Sequence, residues 1–217
     1  MAEFDPQTLK LTLKIVYYGP SLSGKTTNLL SLHEQLLTPS KGQLMVLETQ
    51  NDRTLFFDLF PLGFRAPSGL LIKFKIYTVP GQVAHDSTRK AVLSRTDGVV
   101  FVADSRKTQT VNNGESFENL ADNAARVGLD FQHLPLVVQF NKRDLPDVLS
   151  ETEIHDRWAT APWPLTFASA LQGQGVIETF SVLLAQLFPR LDAEFALQAD
   201  HGLDSDQFIA GAVGSAA

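Results

Sequence analysis

Nine residues of this chain have the types and spacing to hold a phosphate. Gly19 to Thr27 reads Gly-Pro-Ser-Leu-Ser-Gly-Lys-Thr-Thr, which is the G-x-x-x-x-G-K-T pattern of a phosphate-binding loop. Gly19 and Gly24 allow the backbone to bend so that its N–H groups face anionic oxygens. A helix beginning near Lys25 would aim its positive end at the same point. Lys25 can reach β- and γ-phosphates, and Thr26 offers a hydroxyl to Mg²⁺. The candidate phosphate ligands are therefore Gly19, Ser23, Gly24, Lys25, Thr26 and Thr27. An ordinary glycine-rich turn before a helix is the plainer reading. The flanking pattern, an apolar run over Leu11–Tyr18 and a helical pattern over Lys25–Leu37, argues against it.

A second group of candidates is Asn141-Lys142-Arg143-Asp144, which follows an apolar run at Leu134–Phe140. Ligands in open α/β sheets bind at the carboxyl ends of strands. A carboxylate at Asp144 can accept hydrogen bonds from the N1–H and exocyclic amine of guanine, a pair of donors that adenine lacks. Leaving it unpaired would cost a few kcal/mol, enough to discriminate strongly between the bases. Asn141, Lys142 and Asp144 are the candidate base-binding residues. Ser169 and Ala170, after a short apolar run at Leu165–Ala168, have backbone N–H groups placed to hold the guanine carbonyl.

The elements that must carry these groups alternate along the chain. Strand-like runs at Leu11–Tyr18, Gln43–Glu48, Gly69–Val79, Gly98–Ala103, Leu134–Phe140 and Leu165–Ala168 are separated by helix-period segments at Lys25–Leu37, Ala84–Leu93, Glu115–Val127, Glu151–Trp158 and Val176–Leu187. This alternation predicts an α/β fold of three layers, a mostly parallel six-stranded sheet with helices on both faces. Pro61–Ser68 contains two prolines and a glycine and predicts the turn joining an antiparallel edge hairpin. Ser150 is a candidate cap for the helix at Glu151. The expected organisation is one catalytic domain over residues 1–190 and an extension over 191–217. Small, acidic and glycine-dotted, Gly202–Ala217 reads as a solvated, mobile tail.

Composition excludes several functions. The chain has 217 residues, 44 % of them hydrophobic, and a net charge of −6, so a broad nucleic-acid-binding surface is not expected. It contains no cysteine, which removes disulfides, thiolate metal sites and cysteine lipidation. No apolar run approaches the ~20 residues of a membrane span, and the acidic start lacks a signal-peptide pattern. The expected compartment is the cytoplasm. The five histidines lack metal-ligand spacing.

The motifs, in this order, resemble those of the Ras-like small GTPases, and in detail the bacterial MglA-type gliding and polarity GTPases. The matching stretches are Lys14-Ile-Val-Tyr-Tyr-Gly-Pro, Leu22-Ser-Gly-Lys-Thr-Thr-Asn, Arg53-Thr-Leu-Phe-Phe-Asp, Tyr77-Thr-Val-Pro-Gly-Gln, Asp97-Gly-Val-Val-Phe-Val-Ala-Asp-Ser and Asn141-Lys-Arg-Asp-Leu-Pro. The resemblance covers roughly residues 10 to 190. It implies that Thr54 closes on Mg²⁺ and the γ-phosphate in the GTP state, so that Thr26 and Thr54 are the metal ligands. It also implies that the Gly81 N–H binds the γ-phosphate, that Gln82 orients the attacking water, and that Arg53 is an arginine finger carried in cis. Gln82 and Arg53 are thus the expected catalytic residues. Most Ras-like proteins carry an acidic residue where this chain has Thr78; Asp58 would either offset that loss or serve in a structural ion pair.

These readings give a GTP-binding switch that hydrolyses GTP to GDP with Mg²⁺, slowly without an activator, and controls polarity or motility through GTP-state effectors. By resemblance the activator is an MglB-like homodimer of roadblock fold, and the strand beside the switch loop shifts register. The alternatives are a GTP-dependent binding module that does not hydrolyse, and a phosphate-loop ATPase or kinase, against which Asn141–Asp144 argues.

Overall fold

The computed structural model describes residues 2–36, 45–47, 57–80 and 86–214. Five parallel strands carry the sheet: β2 (Lys10–Tyr18), β5 (Leu71–Thr78), β6 (Gly98–Asp104), β7 (Leu136–Asn141) and β8 (Leu165–Phe167). Every residue of β6 and β7 is buried, as expected of central parallel strands covered on both faces. The other strands are β1 (Glu3–Asp5), antiparallel to β2, and the edge pair β3 (Met45–Leu47) and β4 (Phe57–Arg65). Among the described residues the order is β3-β4-β5-β2-β6-β7-β8, with β1 on β2.

One face of the sheet packs against α1 (Lys25–Gln35) and α5 (Val176–Phe195) through Leu13, Ile15, Leu29, Phe74, Val100 and Phe180. The other packs against α2 (Asp86–Leu93), α3 (Thr110–Arg126) and α4 (Glu151–Arg157) through Val16, Leu93, Phe101, Leu120, Val138 and Ile154. Ser150 caps α4 in a reciprocal capping box with Glu153. The three-layer α/β expectation holds, with eight strands among the described residues instead of six.

The two added strands have physical causes. Phe60, Leu62 and Phe64 point into the core, a period-two pattern that Pro61 and Gly63 obscure in the sequence. Pro61 pairs with Lys75 of β5 within the β4–β5 ladder. The turn predicted over Pro61–Ser68 is instead at Ala66–Leu70, closed by Gly69 at φ 90°. β1 is a short strand added beside Lys10–Thr12.

Two helices run further than expected. α3 begins at Thr110, five residues before Glu115, because Asn113 makes two hydrogen bonds to the backbone of Asp104. α5 continues through Pro189 to Phe195. The missing donor at Pro189 is outweighed by burial of Phe188 and Leu191 on the added turns.

The solvated-tail expectation for Gly202 onward is corrected over the described part. After α6 (Leu197–His201), Asp204 and Gln207 form a capping box that starts α7 (Ser205–Val213). α7 packs on β4. Phe208 is fully buried, with ring centroids 6.0 Å from Phe64, 5.8 Å from Phe74 and 5.7 Å from Phe188. The small residues that suggest a tail permit this approach, since a Cβ on Gly211 would lie 2.5 Å from the Phe64 ring. Phe208→Ala is expected to lower unfolding free energy by about 3–5 kcal/mol, measured by chemical denaturation. A loss under 1 kcal/mol would show that α7 adds little.

Candidate functional site

All candidate residues within the described part gather at the carboxyl ends of β2, β7 and β8. The phosphate loop leaves β2 after Tyr18 and enters α1 at Lys25. Gly19 and Gly24 have φ of 145° and 100°. Their lack of side chains is required by space as well as by conformation. A Cβ on Gly19 would lie 2.3 Å from the Val102 carbonyl oxygen, and one on Gly24 would lie 2.2 Å from Asn141 Nδ2. Leu22 also adopts a left-handed conformation, φ 60°, and is 84 % exposed. Strain of this kind is held in place where the surrounding structure fixes the loop.

Asn141 joins the two halves of the site. Its Nδ2 donates to the Ser23 carbonyl at 2.9 Å, and its Oδ1 accepts from the Ala170 N–H at 2.9 Å. One buried carboxamide thus ties the phosphate loop to the turn after β8, with all its polar valence toward the two loops fixed. Behind it lies a second buried chain. Gln139 Nε2 donates to Asn28 Oδ1 and Thr179 Oγ1, both at 2.9 Å. Asn28 in turn donates to the Gly24 carbonyl at 3.0 Å. Thr179 gives its proton to Gly175 O at 2.7 Å, so Thr166 donates to Thr179.

Lys142 has φ 68°, which turns the chain at the strand end. Its Nζ lies 2.8 Å from Asp104 Oδ2, where Arg106 also binds, at 2.7 Å to Oδ2 and 3.1 Å to Oδ1. Burial would push the Asp104 carboxyl up, but the Arg106 and Lys142 hydrogen bonds outweigh it and hold it below the usual carboxylate range. Arg143 anchors the following loop, donating to the Leu149 carbonyl at 2.6 Å with its guanidinium 5.3 Å from the Phe167 ring centre. Asp144 is left exposed on that braced loop. Asp104 and Arg106 were not singled out from the sequence; an acid ending a wholly apolar strand is a signal that would have found Asp104.

Lys25 is nearly buried, and its Nζ donates to the carbonyls of Gly19 and Pro20 at 3.0 and 2.7 Å. Thr26 is exposed at the first turn of α1. Ser23 Oγ is buried with no hydrogen-bond partner. Between α1 and the 170–173 turn is an open hollow of about 600 Å³, lined by Thr27, Leu30, Ser31, Ala170 and Leu171. Its volume is in the range of ligand clefts.

Residues 68–187 match the ADP-ribosylation factor family profile. The chain is also 44 % identical over 183 residues to the mutual gliding-motility protein MglA of Myxococcus xanthus, covering 84 % of this chain and 94 % of that protein. The chain belongs to the Ras-like small GTPases of the MglA type. More distant similarity reaches ADP-ribosylation factor-like protein 4D of Mus musculus, 28 % identical over 76 % of this chain and 75 % of that one. It also reaches ADP-ribosylation factor-like protein 6 of Caenorhabditis elegans, 25 % identical over 82 % and 88 %. The chain is therefore a GTPase, a GTP-binding switch protein, and the glycine cradle and hydrogen-bonded carboxamide suit a nucleotide of that kind.

Arg53, Thr54, Gly81 and Gln82 lie outside the described residues, and nothing is described of the Asp58 side chain. Thr78 is buried at the end of β5. Among the described residues no three histidine or acidic side chains converge on a possible metal position. A hard cation here would take hydroxyl, water and phosphate oxygens, which suits Mg²⁺. No described helix is long and apolar enough to cross a membrane.

Two outcomes follow. Gly24→Ala should weaken GDP binding on the order of a hundredfold or more in calorimetric titration, because the added methyl must displace Asn141. Asp104 has a depressed folded-state pKa, so its ion pairs stabilise the protein above the ordinary value of 3.8 and are lost as pH falls through the folded value. The stability difference between wild type and Asp104→Asn, followed by denaturation against pH, should be full at neutral pH and shrink below about pH 4.

Proposed function

We propose that this GTPase hydrolyses GTP at the joined loops, with the residues of Gly19–Thr27 holding the phosphates and Asn141, Lys142, Asp144, Ser169 and Ala170 holding guanine. The observation that carries the reading is the Asn141 bridge between Ser23 and Ala170. It sets the phosphate cradle at a fixed offset from the exposed Asp144 carboxylate, as recognition of one particular nucleoside phosphate requires. Lys25 exchanges the neutral carbonyls of Gly19 and Pro20 for charged phosphate oxygens, which are stronger acceptors. Asp144 accepts from the guanine edge, and the Ala170 turn sits beside it.

Thr26 and Thr54 hold Mg²⁺, which neutralises charge developing on the phosphates. Gln82 orients the attacking water, Gly81 donates its N–H to the γ-phosphate, and Arg53 offsets charge on the transferring group. The name of the Myxococcus relative supports a role in motility or polarity, exercised in the cytoplasm through GTP-state effectors. An MglB-like roadblock homodimer is the proposed activator.

Single-turnover phosphate release with Mg²⁺ tests this. Slow turnover of GTP and none of ATP is expected, with Arg53→Ala slower by about 10³-fold. Equal use of ATP would contradict the guanine assignment. Tight GTP binding without turnover, even with an added roadblock partner, would favour the non-hydrolysing module.

A further inference from the structure

Gln139 is a fully buried amide in the middle of β7, preceded by Leu136-Val137-Val138 and followed by Phe140. A central strand covered on both faces is ordinarily apolar, and burying an amide is costly unless its hydrogen bonds are made. Its partners show what the amide holds. Nε2 donates to Asn28 Oδ1 on α1 and to Thr179 Oγ1 on α5, both at 2.9 Å.

The direction of these bonds is fixed by the two ends of the chain. Both ends are backbone carbonyls, which can only accept. At one end Asn28 Nδ2 donates to the Gly24 carbonyl at 3.0 Å, which turns its Oδ1 toward Gln139. At the other end Thr179 gives its proton to the Gly175 carbonyl at 2.7 Å, so that its oxygen accepts from Gln139. Gln139 faces two acceptors and must present its amide nitrogen to both. A valine or leucine at this position would leave Asn28 free to turn.

The Gly24 end lies at the phosphate loop. Gly24 is the N-cap of α1, and no side chain caps that helix. By contrast, α4 and α7 each begin with a capping box. An uncapped first turn keeps its N–H groups open, as an anion site needs, but it also lacks the contact that ordinarily fixes a helix start. Asn28 and Gln139 supply that contact from behind. In a trans peptide the C=O and the following N–H are coplanar and antiparallel. A group that holds the Gly24 oxygen therefore also holds the direction of the Lys25 N–H, which opens α1.

We infer that Gln139 is a positioning residue for the phosphate loop, acting through Asn28 on the Gly24–Lys25 peptide so that the open amides of α1 face the β-phosphate. The inference rests on the proposed function, in which Gly19–Thr27 holds the phosphates. A contribution to stability alone would weaken all guanine nucleotides alike. Aiming the first turn of α1 at the β-phosphate affects GDP and leaves GMP nearly unchanged.

The test is competition of unlabelled GDP and GMP against fluorescently labelled GDP, for wild type and Gln139→Met, a variant of similar length without the donor. The ratio of GDP to GMP affinity is expected to fall about tenfold from the wild-type ratio, with GMP affinity within about threefold. Equal losses for both nucleotides, or an unchanged ratio, would overturn the inference. If Gln139→Met does not fold, Asn28→Ala removes the side chain that reaches Gly24 and should lower the same ratio at least as far. An unchanged ratio in Asn28→Ala would then overturn it. A wild type that binds GMP as tightly as GDP would overturn the phosphate-loop reading itself, and this inference with it.

Discussion

The site depends on one carboxamide. Asn141 gives its two donor–acceptor ends to Ser23 on the phosphate loop and Ala170 on the last turn of the sheet edge. Each of those backbone groups is buried and would go unpaired without it, at a cost of about 1–3 kcal/mol apiece. The need for glycine at position 24 follows from the same contact, since any side chain there would strike Asn141. The residue that must be small, the loop that must be strained and the turn that must be close are consequences of a single hydrogen-bonded group. It lies where three parallel strands end.

Around that centre further polar groups brace the ends of the strands. The Gln139–Asn28–Thr179 chain fixes α1 and α5 to the middle of the sheet. The Asp104–Arg106–Lys142 cluster braces the strand end that presents Asp144. Arg89 and α3 brace Pro80 and Asp86. At the opposite end of β4, α7 packs over Phe64. A GTPase of this type needs a preformed nucleotide cradle and segments that respond to the γ-phosphate.

The cradle was legible because chemistry restricts it: few sequences bend a backbone around phosphate, and Gly19, Gly24, Lys25 and Thr26 stand within eight residues. Asn141 and Asp144 were legible for the same reason, although the role of Asn141 as a bridge was not. Its partners are 118 and 29 positions away. Long-range polar partners also explain why Asp104, Arg106, Arg89 and Gln139 were passed over. β4 was missed because Pro61 and Gly63 masked the inward alternation of Phe60, Leu62 and Phe64. α7 was missed because the small residues that let it approach Phe64 are also those of a solvated tail. In both cases local composition was overruled by apolar burial formed only in the folded chain.

The most direct measurement of the central claim is the rate of GDP dissociation from Asn141→Ala. If this carboxamide holds the phosphate loop against the base-binding turn, losing both buried hydrogen bonds should speed release by about a hundredfold, in a protein that still folds. Release within about twofold of wild type would show that the two loops hold their places without Asn141, and would contradict the account.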